Sequence, residues 1–434
     1  MVRKLSRGAI IRGSGRRGSL DVENVDEDQL TLAVAAVEAL RRGGAGIGRP
    51  GTDRIELVGA FPELVHWALP EALGLSPGIV HHHSAGRVGL ASAVPAASAP
   101  DSQGSSLLIA ADLNLSSKSG PHNAADGAAA LAFLFEETPG ATLRVWRPSA
   151  GTTSADPHEA ARISLGATEE QLRGLPIHVL QAPGIPMEVL RVKGSHPGSS
   201  PLELETLPDS YEGVGFPQSV GPAMELRALC EAAQRGEIAV LATPTPNAPA
   251  ALFVATSDGE TRWRGAWKGR PHSEGPKGSR EPGVEPPDLA AVSEGAYVPY
   301  ARYRENLPGR WRLAADRCGA CGHFTFPRRA RCRHCAASDR LEAVELPREG
   351  LIVEAVTKVH PGAQPTEFDP YVESEGSYSV VLARAGPEVR LTLQFAGPPP
   401  EIAIGDRVDT ELRRLYAMEG EWRYGLKATL PHAE

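Results

Sequence analysis

Four cysteines crowd into eighteen residues, as Cys318-Gly-Ala-Cys321 and Cys332-Arg-His-Cys335. A CxxC pair sets two thiolates on one turn, and two such knuckles joined by a hairpin close a tetrahedral zinc site. Four thiolates leave no open coordination position, so the zinc expected here is structural. Gly319 and Gly322 supply the tight turns that a knuckle needs. Disulfides are the alternative, but the chain has only one further cysteine, Cys230, and that usage fits a reducing cytoplasm better than a secreted scaffold. His323 and His334 flank the ligands and are surplus to a four-cysteine centre. Cys230 falls among Leu226, Leu229 and Ala232 and reads as core.

Charge reverses around this block. Residues 301–340 hold ten arginines and three acidic residues, whereas the whole chain carries −8. The overall balance excludes a protein that coats nucleic acid or an anionic membrane along its whole surface. The local excess is either a solvated face that compensates the thiolates or a phosphate-binding surface. Arg317, Arg328, Arg329 and Arg331 are the candidates for the latter.

Residues 1–258 alternate short apolar runs with helical patterns, as an α/β domain does. Strands are expected at Ala9–Ile11, Arg54–Val58, Ser106–Ala110, Ala128–Leu134, Ile177–Leu180 and Ala239–Ala242. Asp26–Arg42 reads as an amphipathic helix, opened by acidic residues and closed by Arg-Arg-Gly-Gly; Pro222–Arg235 reads as another. Residues 259–295 are polar and rich in Pro and Gly, the composition of a flexible linker. A leading helix and the ribbon follow at 296–336. Within 337–434, strands are expected at Leu351–Val359, Tyr378–Ala385, Val389–Phe395, Arg407–Leu415 and Trp422–Ala428, enough for a small closed barrel. No run reaches the roughly 18 apolar residues of a membrane helix. The basic N-terminus lacks the apolar region of a signal peptide, so a cytoplasmic protein is expected.

An Arg-rich, aromatic helix, then RCGACGHFTFPRRARCRHC, then five strands resembles the zinc-ribbon/OB-fold proteins encoded beside thiolases and hydroxymethylglutaryl-CoA synthases. The match covers about Tyr297 to Leu430. It implies a rubredoxin-like ribbon, an all-β OB-fold barrel, and an acyl-CoA-associated module that docks on a thiolase-type enzyme. The preceding part resembles a thiolase-fold domain of the hydroxymethylglutaryl-CoA synthase type. The likeness lies in DEDQLTLAVAAVEAL, in SSLLIAADLN followed by DGAAALAFLF, and in VGPAMELRALCEAAQRGEIAVLAT.

That resemblance gives meaning to Ile79-Val-His-His-His-Ser-Ala-Gly-Arg-Val-Gly-Leu-Ala-Ser-Ala93. The family's reactive cysteine opens a buried helix spaced C-x-x-G-x-x-A-L-x-x-A. Laid on this chain, those positions fall on His83, Gly86, Gly89, Leu90 and Ala93. The nucleophile position is thus His83, or Ser84 with the register slipped by one. A helix N-terminus stabilises a thiolate and disfavours an imidazolium, so His83 is expected neutral there. The acid/base histidine falls on Gln181, its asparagine partner falls within Glu212 to Val214, and the last loop reads Thr243-Pro-Thr-Pro-Asn247 without glycine. These departures imply a kept fold and lost chemistry.

Three functions follow. The first is a non-catalytic acyl-CoA-binding partner of a thiolase or synthase, oligomeric through its thiolase-like domain. The second is an acyltransferase or condensing enzyme using His83 or Ser84. The third, ranked last, is a single-stranded nucleic-acid binder stacking bases on Tyr371, Tyr378, Phe395, Tyr416, Trp422 and Tyr424. A metal site at His81-His82-His83 is disfavoured, because adjacent residues on a strand point apart.

Overall fold

The computed structural model describes residues 3–12, 15–17, 20–22, 26–48, 51–100, 104–112, 128–146, 156–172, 177–181, 202–206, 220–233, 237–245, 248–264, 300–365, 368–369, 372, 376–396, 401–418 and 421–432. The first half of the α/β domain contains β1 (Lys4–Arg12), a hairpin of β2 (Gly15–Arg17) and β3 (Leu20–Val22), α1 (Gln29–Arg42) and β4 (Thr52–Val58). It continues with α2 (Val65–Leu73), β5 (Val80–His83), α3 (Gly86–Ala97), β6 (Ser105–Asp112) and β7 (Ala129–Glu136). The second half contains β8 (Ala141–Trp146), α4 (Pro157–Leu165), α5 (Glu169–Leu172), β9 (Ile177–Gln181) and β10 (Leu202–Thr206). It ends with α6 (Val220–Ala233), β11 (Ile238–Thr245), β12 (Ala248–Ser257) and β13 (Arg262–Arg264).

The main strands form one sheet in the order β10-β9-β11-β12-β8-β1-β7-β6-β4-β5. Numbered within its own half, each set of five runs 3-2-4-5-1, and in each the fifth strand is antiparallel to its neighbours. The halves meet antiparallel at Leu5 and Ala141. The domain is therefore a structural duplication, which the sequence hides because each half fills the same positions with different residues.

Burial explains the layers. Every residue of β6 is buried, as is β7 up to its last residue, the mark of strands covered on both faces. On one face, α3 and α6 share a core with Val58, Leu108, Phe133, Leu241 and Phe253. The opposite face is covered by α1 and α2 in the first half and by α4 in the second. Helix α1 begins where Asp28 caps it: the carboxylate accepts from Thr31 N at 2.9 Å, and Asp28 N donates to Thr31 Oγ1 at 2.8 Å. Arg41 and Arg42 close the helix at its negative end.

Residues 259–264 are not linker. Strand β13 pairs parallel with β1 from Arg7 to Ala9, and Thr261 Oγ1 donates to Leu5 O at 3.1 Å. Trp263 falls within the polar run in sequence, yet it packs across Gly8, where a Cβ would meet its ring at 2.0 Å. Residues 265–295 of the expected linker lie outside the described residues.

The C-terminal part starts with α7 (Tyr300–Glu305) and α8 (Leu307–Arg312), then a three-stranded ribbon of β14 (Ala314–Cys318), β15 (Phe324–Thr325) and β16 (Leu341–Glu345). Five strands follow: β17 (Leu351–Val359), β18 (Tyr378–Arg384), β19 (Arg390–Gln394), β20 (Arg407–Met418) and β21 (Glu421–Thr429). Their order is β19-β18-β17-β20-β21, and a parallel bridge from Phe395 to Ala428 brings the two ends together into a nearly closed OB-type barrel. Among the described residues no helix is long and apolar enough to cross a membrane.

The barrel is seated on α1. Asp26, Glu27 and Asp28 at the helix start are buried against Arg413, Arg414, Tyr424 and Lys427 of β20 and β21. Trp311 Nε1 and Tyr303 OH each reach Tyr424 O at 3.0 Å, while Trp311 stacks on Trp67 of α2.

Candidate functional site

The ribbon's four sulfurs all lie within 4.8 Å of one another, with Cys318–Cys335 and Cys321–Cys332 both at 3.6 Å. Bonds of about 2.3 Å in a tetrahedron need sulfurs roughly 3.8 Å apart, so the set fits zinc. Backbone N–H groups of Cys335 and His334 point at the Cys332 sulfur and hold its thiol below the usual value, which favours a ligating thiolate. Gly322 takes the left-handed turn of the first knuckle, with φ +78. Its counterpart in the second knuckle is not a glycine but Ala336, at φ +60. Gly319 has no such backbone; its N–H donates to Arg340 O at 2.7 Å. His323 and His334 stack on each other at 3.7 Å, outside the ligand set.

The four candidate arginines are exposed on this ribbon. Arg328 is tied to the buried Asp316, Nε to Oδ1 at 2.8 Å. Arg317, Arg329 and Arg331 have no carboxylate in ion-pair range among the described residues, which leaves their guanidinium groups available to an anion.

The mouth of α3 lies at the carboxyl ends of the parallel strands β4, β5 and β6, where α/β sheets place their sites. His83 ends β5. Gly89 lies one turn into α3 directly beneath Ser84 O, where a Cβ would come within 1.7 Å, so only glycine permits this strand-to-helix corner. Ser84 itself is exposed. His83 Nε2 lies 2.5 Å from Oε2 of Glu56, a fully buried carboxylate on β4 whose other oxygen is bound by Arg54. On the opposite face of β5, His82 stacks on His66 at 4.1 Å, and burial together with the nearby His66 and His83 lowers its pKa. The three histidines do not converge on one point. Arg87 in the first turn of α3 binds Glu225 of α6, Nε to Oε2 at 3.1 Å; burial pushes the Glu225 carboxyl up.

Gln181 ends β9, in backbone register with Ala242 and Thr206. Glu212 to Val214 lie outside the described residues. Glu56 was missed from the sequence, although it left a trace. A carboxylate within the apolar run Ile55-Glu-Leu-Val58 of an internal strand must find a buried partner.

The stacking platform expected of a nucleic-acid binder is largely consumed. Tyr378, Phe395 and Tyr424 are each 4% exposed. Tyr424 OH donates to Asp28 Oδ2 at 2.6 Å, and Trp422 packs toward α1 and α2 beneath the Arg414 guanidinium. Tyr371 lies outside the described residues.

A family model described as ChsH2, rubredoxin-like zinc ribbon domain, matches residues 310–342. No curated protein matches the sequence. Among solved structures, the chain is similar to an Ltp2-ChsH2(DUF35) aldolase at 26% identity, over 27% of this chain and 84% of that one, with a TM-score of 0.21. It is also similar to MvaS in complex with 3-hydroxy-3-methylglutaryl coenzyme A, at 14% identity over 61% and 90%, TM-score 0.39. A third likeness is to β-ketoacyl-[acyl carrier protein] synthase III from Thermus thermophilus, at 13% identity over 59% and 99%, TM-score 0.35. Overlaps this loose add nothing to the strand order, which carries the fold assignment by itself. The chain is a thiolase-like α/β domain of two like halves, joined to a rubredoxin-like zinc ribbon and a small barrel.

Proposed function

We propose that the protein is an acyl-CoA-associated partner subunit of a thiolase or hydroxymethylglutaryl-CoA synthase-type enzyme, without condensing chemistry of its own. The observation that carries this reading is the mouth of α3. The position that the resemblance assigns to a reactive cysteine holds His83, and its ring is engaged by Glu56. Carbon–carbon condensation through a covalent acyl thioester needs a thiolate there, and none is available. The only described cysteine in the α/β domain, Cys230, is buried in α6, with its thiol raised far from reactivity by desolvation.

The ribbon and barrel are docked in cis, so this chain offers an active partner a preassembled unit. The exposed arginines Arg317, Arg329 and Arg331, with Arg328 beside them, are the surface left for coenzyme A phosphates or for the acidic rim of the partner. Reconstitution with a thiolase or synthase encoded alongside is the test. A stoichiometric complex whose condensation rate depends on this chain supports the proposal. Condensation by this chain alone refutes it.

A further inference from the structure

We propose that Arg7, Arg262 and Arg264 form a binding site for a phosphate group where α1 ends against β1 and β13. The site is separate from both places already described. Arg7 stands opposite Leu134 of β7, and Leu134 stands opposite Leu107 near the amino end of β6. The mouth of α3 lies at the carboxyl ends of these strands, and none of the three arginines belongs to the ribbon.

Strand register gathers the three side chains. β13 runs parallel to β1, with Arg262 beside Arg7 and Arg264 beside Ala9. Residues in register, and residues two apart on one strand, share a face of the sheet. Ala9 packs in the core that α1 covers, so the shared face is the one on which α1 lies. Two contacts agree with that placement. Arg7 Nη1 donates to Gly43 O at the end of α1. A Cβ added to Gly43 would come within 3.3 Å of Arg264 Nε, and one added to Gly44 within 3.6 Å of Arg7 Nη1.

So much positive charge needs a counter-charge. Like charges side by side on neighbouring strands repel. The end of a helix supplies only roughly half a negative charge, and Arg41 and Arg42 in the last turn of α1 already face it. Those two have carboxylates of their own, Glu38 and Glu349. Among the described residues, no carboxylate lies in ion-pair range of Arg7, Arg262 or Arg264. Arg262 and Arg264 are exposed and Arg7 is half-buried, so a ligand can reach all three.

The space between them selects the ligand. A cavity of about 280 Å³ is bounded by the three arginines together with Leu40, Gly43 and Trp263. Pockets for whole small molecules start at roughly 300 Å³, so this one suits a phosphate with a few attached atoms. Guanidinium forks bind phosphate oxygens in a bidentate manner. A phosphate near neutrality carries about −1.5 to −2 charges and offsets more of the cluster than one carboxylate does. Gly43 keeps the wall bare, since a Cβ there would also crowd Leu40 O at 3.0 Å.

The test uses the full-length chain, with inorganic phosphate and glycerol 3-phosphate as probes at an ionic strength held constant with chloride. Calorimetry should show saturable binding of at least one of them. Arg262→Gln/Arg264→Gln should weaken it by about tenfold or more, because one charge-assisted contact is worth that much. Arg302→Gln, which removes an exposed arginine of α7, should leave it in place. Tighter binding of the ester identifies the phosphate as part of a larger molecule; equal binding identifies the free ion. Phenylglyoxal modification of the wild type, mapped by mass spectrometry, should show Arg262 and Arg264 protected by whichever probe binds. That readout needs no variant, so poor folding of one cannot hide the answer. Absence of binding by either probe, affinity that survives Arg262→Gln/Arg264→Gln, or modification of both arginines undiminished by the probes would each overturn the inference. So would capture of polyglutamate with no response to phosphate, which would make the patch a seat for acidic protein.

Discussion

Lys427 Nζ lies 3.0 Å from Asp26 Oδ2, and both groups are sealed from solvent between the barrel and the start of α1. Arg413 shares the site, 3.6 Å from the other oxygen of Asp26. This charged seam lies beside an apolar one, in which Tyr303, Leu307, Trp311, Leu412 and Tyr424 share a core with α1 and α2.

Removing one partner strands the other in a dry interface. Lys427→Met or Asp26→Asn should each destabilise the chain by about 3–5 kcal/mol. Denaturant melts monitored at the buried Trp311 would register it. A loss below about 1 kcal/mol would mean that the seam is solvated.

The same seam sets an acid limit. Burial pushes the Asp26 carboxyl up, but Lys427 and Arg413 outweigh it and hold the carboxyl below its usual value. A depressed folded pKa gives stability that is present above the unfolded value of about 3.9 and lost as pH falls through the folded one. Stability should thus be flat near neutrality and drop below about pH 4. Asp26→Asn should remove part of that drop.

One zinc per chain is expected on Cys318, Cys321, Cys332 and Cys335. Cys332→Ser should lower the metal content and unfold the C-terminal part. Full zinc retention in the Cys318→Ser/Cys332→Ser double variant would contradict the assignment.

On the ribbon, Arg329→Ala with Arg331→Ala should weaken acyl-CoA binding to the assembled complex, or assembly itself, without disturbing zinc. These side chains are exposed, so each contact is worth under about 1 kcal/mol unless the partner desolvates it. Arg328→Ala differs, because it also strips the buried Asp316 of its cation. Calorimetry and pull-down separate cofactor from partner. Loss of oligonucleotide binding alone would move the nucleic-acid reading to first place.

Much of the architecture is legible in the sequence. The paired CxxC spacing fixes its own geometry, and an apolar pattern between an acidic start and Arg-Arg-Gly-Gly marks α1. What stayed hidden depends on contacts far apart in sequence. The acidic start of α1 read as a favourable helix terminus, yet Asp26 and Glu27 serve the barrel some four hundred residues later. Tyr424 looked like a base-stacking surface because local pattern cannot tell an exposed aromatic from one buried under another domain. Glu56 and His83 sit 27 residues apart and meet only because β4 and β5 are neighbours. Trp263 was lost in a polar stretch, and only its seat on Gly8 gives it a place in the sheet.

Purifying the full chain from its own cells, weighing the assembly and identifying what accompanies it tests whether this chain is a partner subunit. A stoichiometric second subunit carrying an intact nucleophilic cysteine is expected, with condensation lost when this chain is withdrawn. A chain that purifies without any such subunit and condenses acyl-CoA by itself would contradict it.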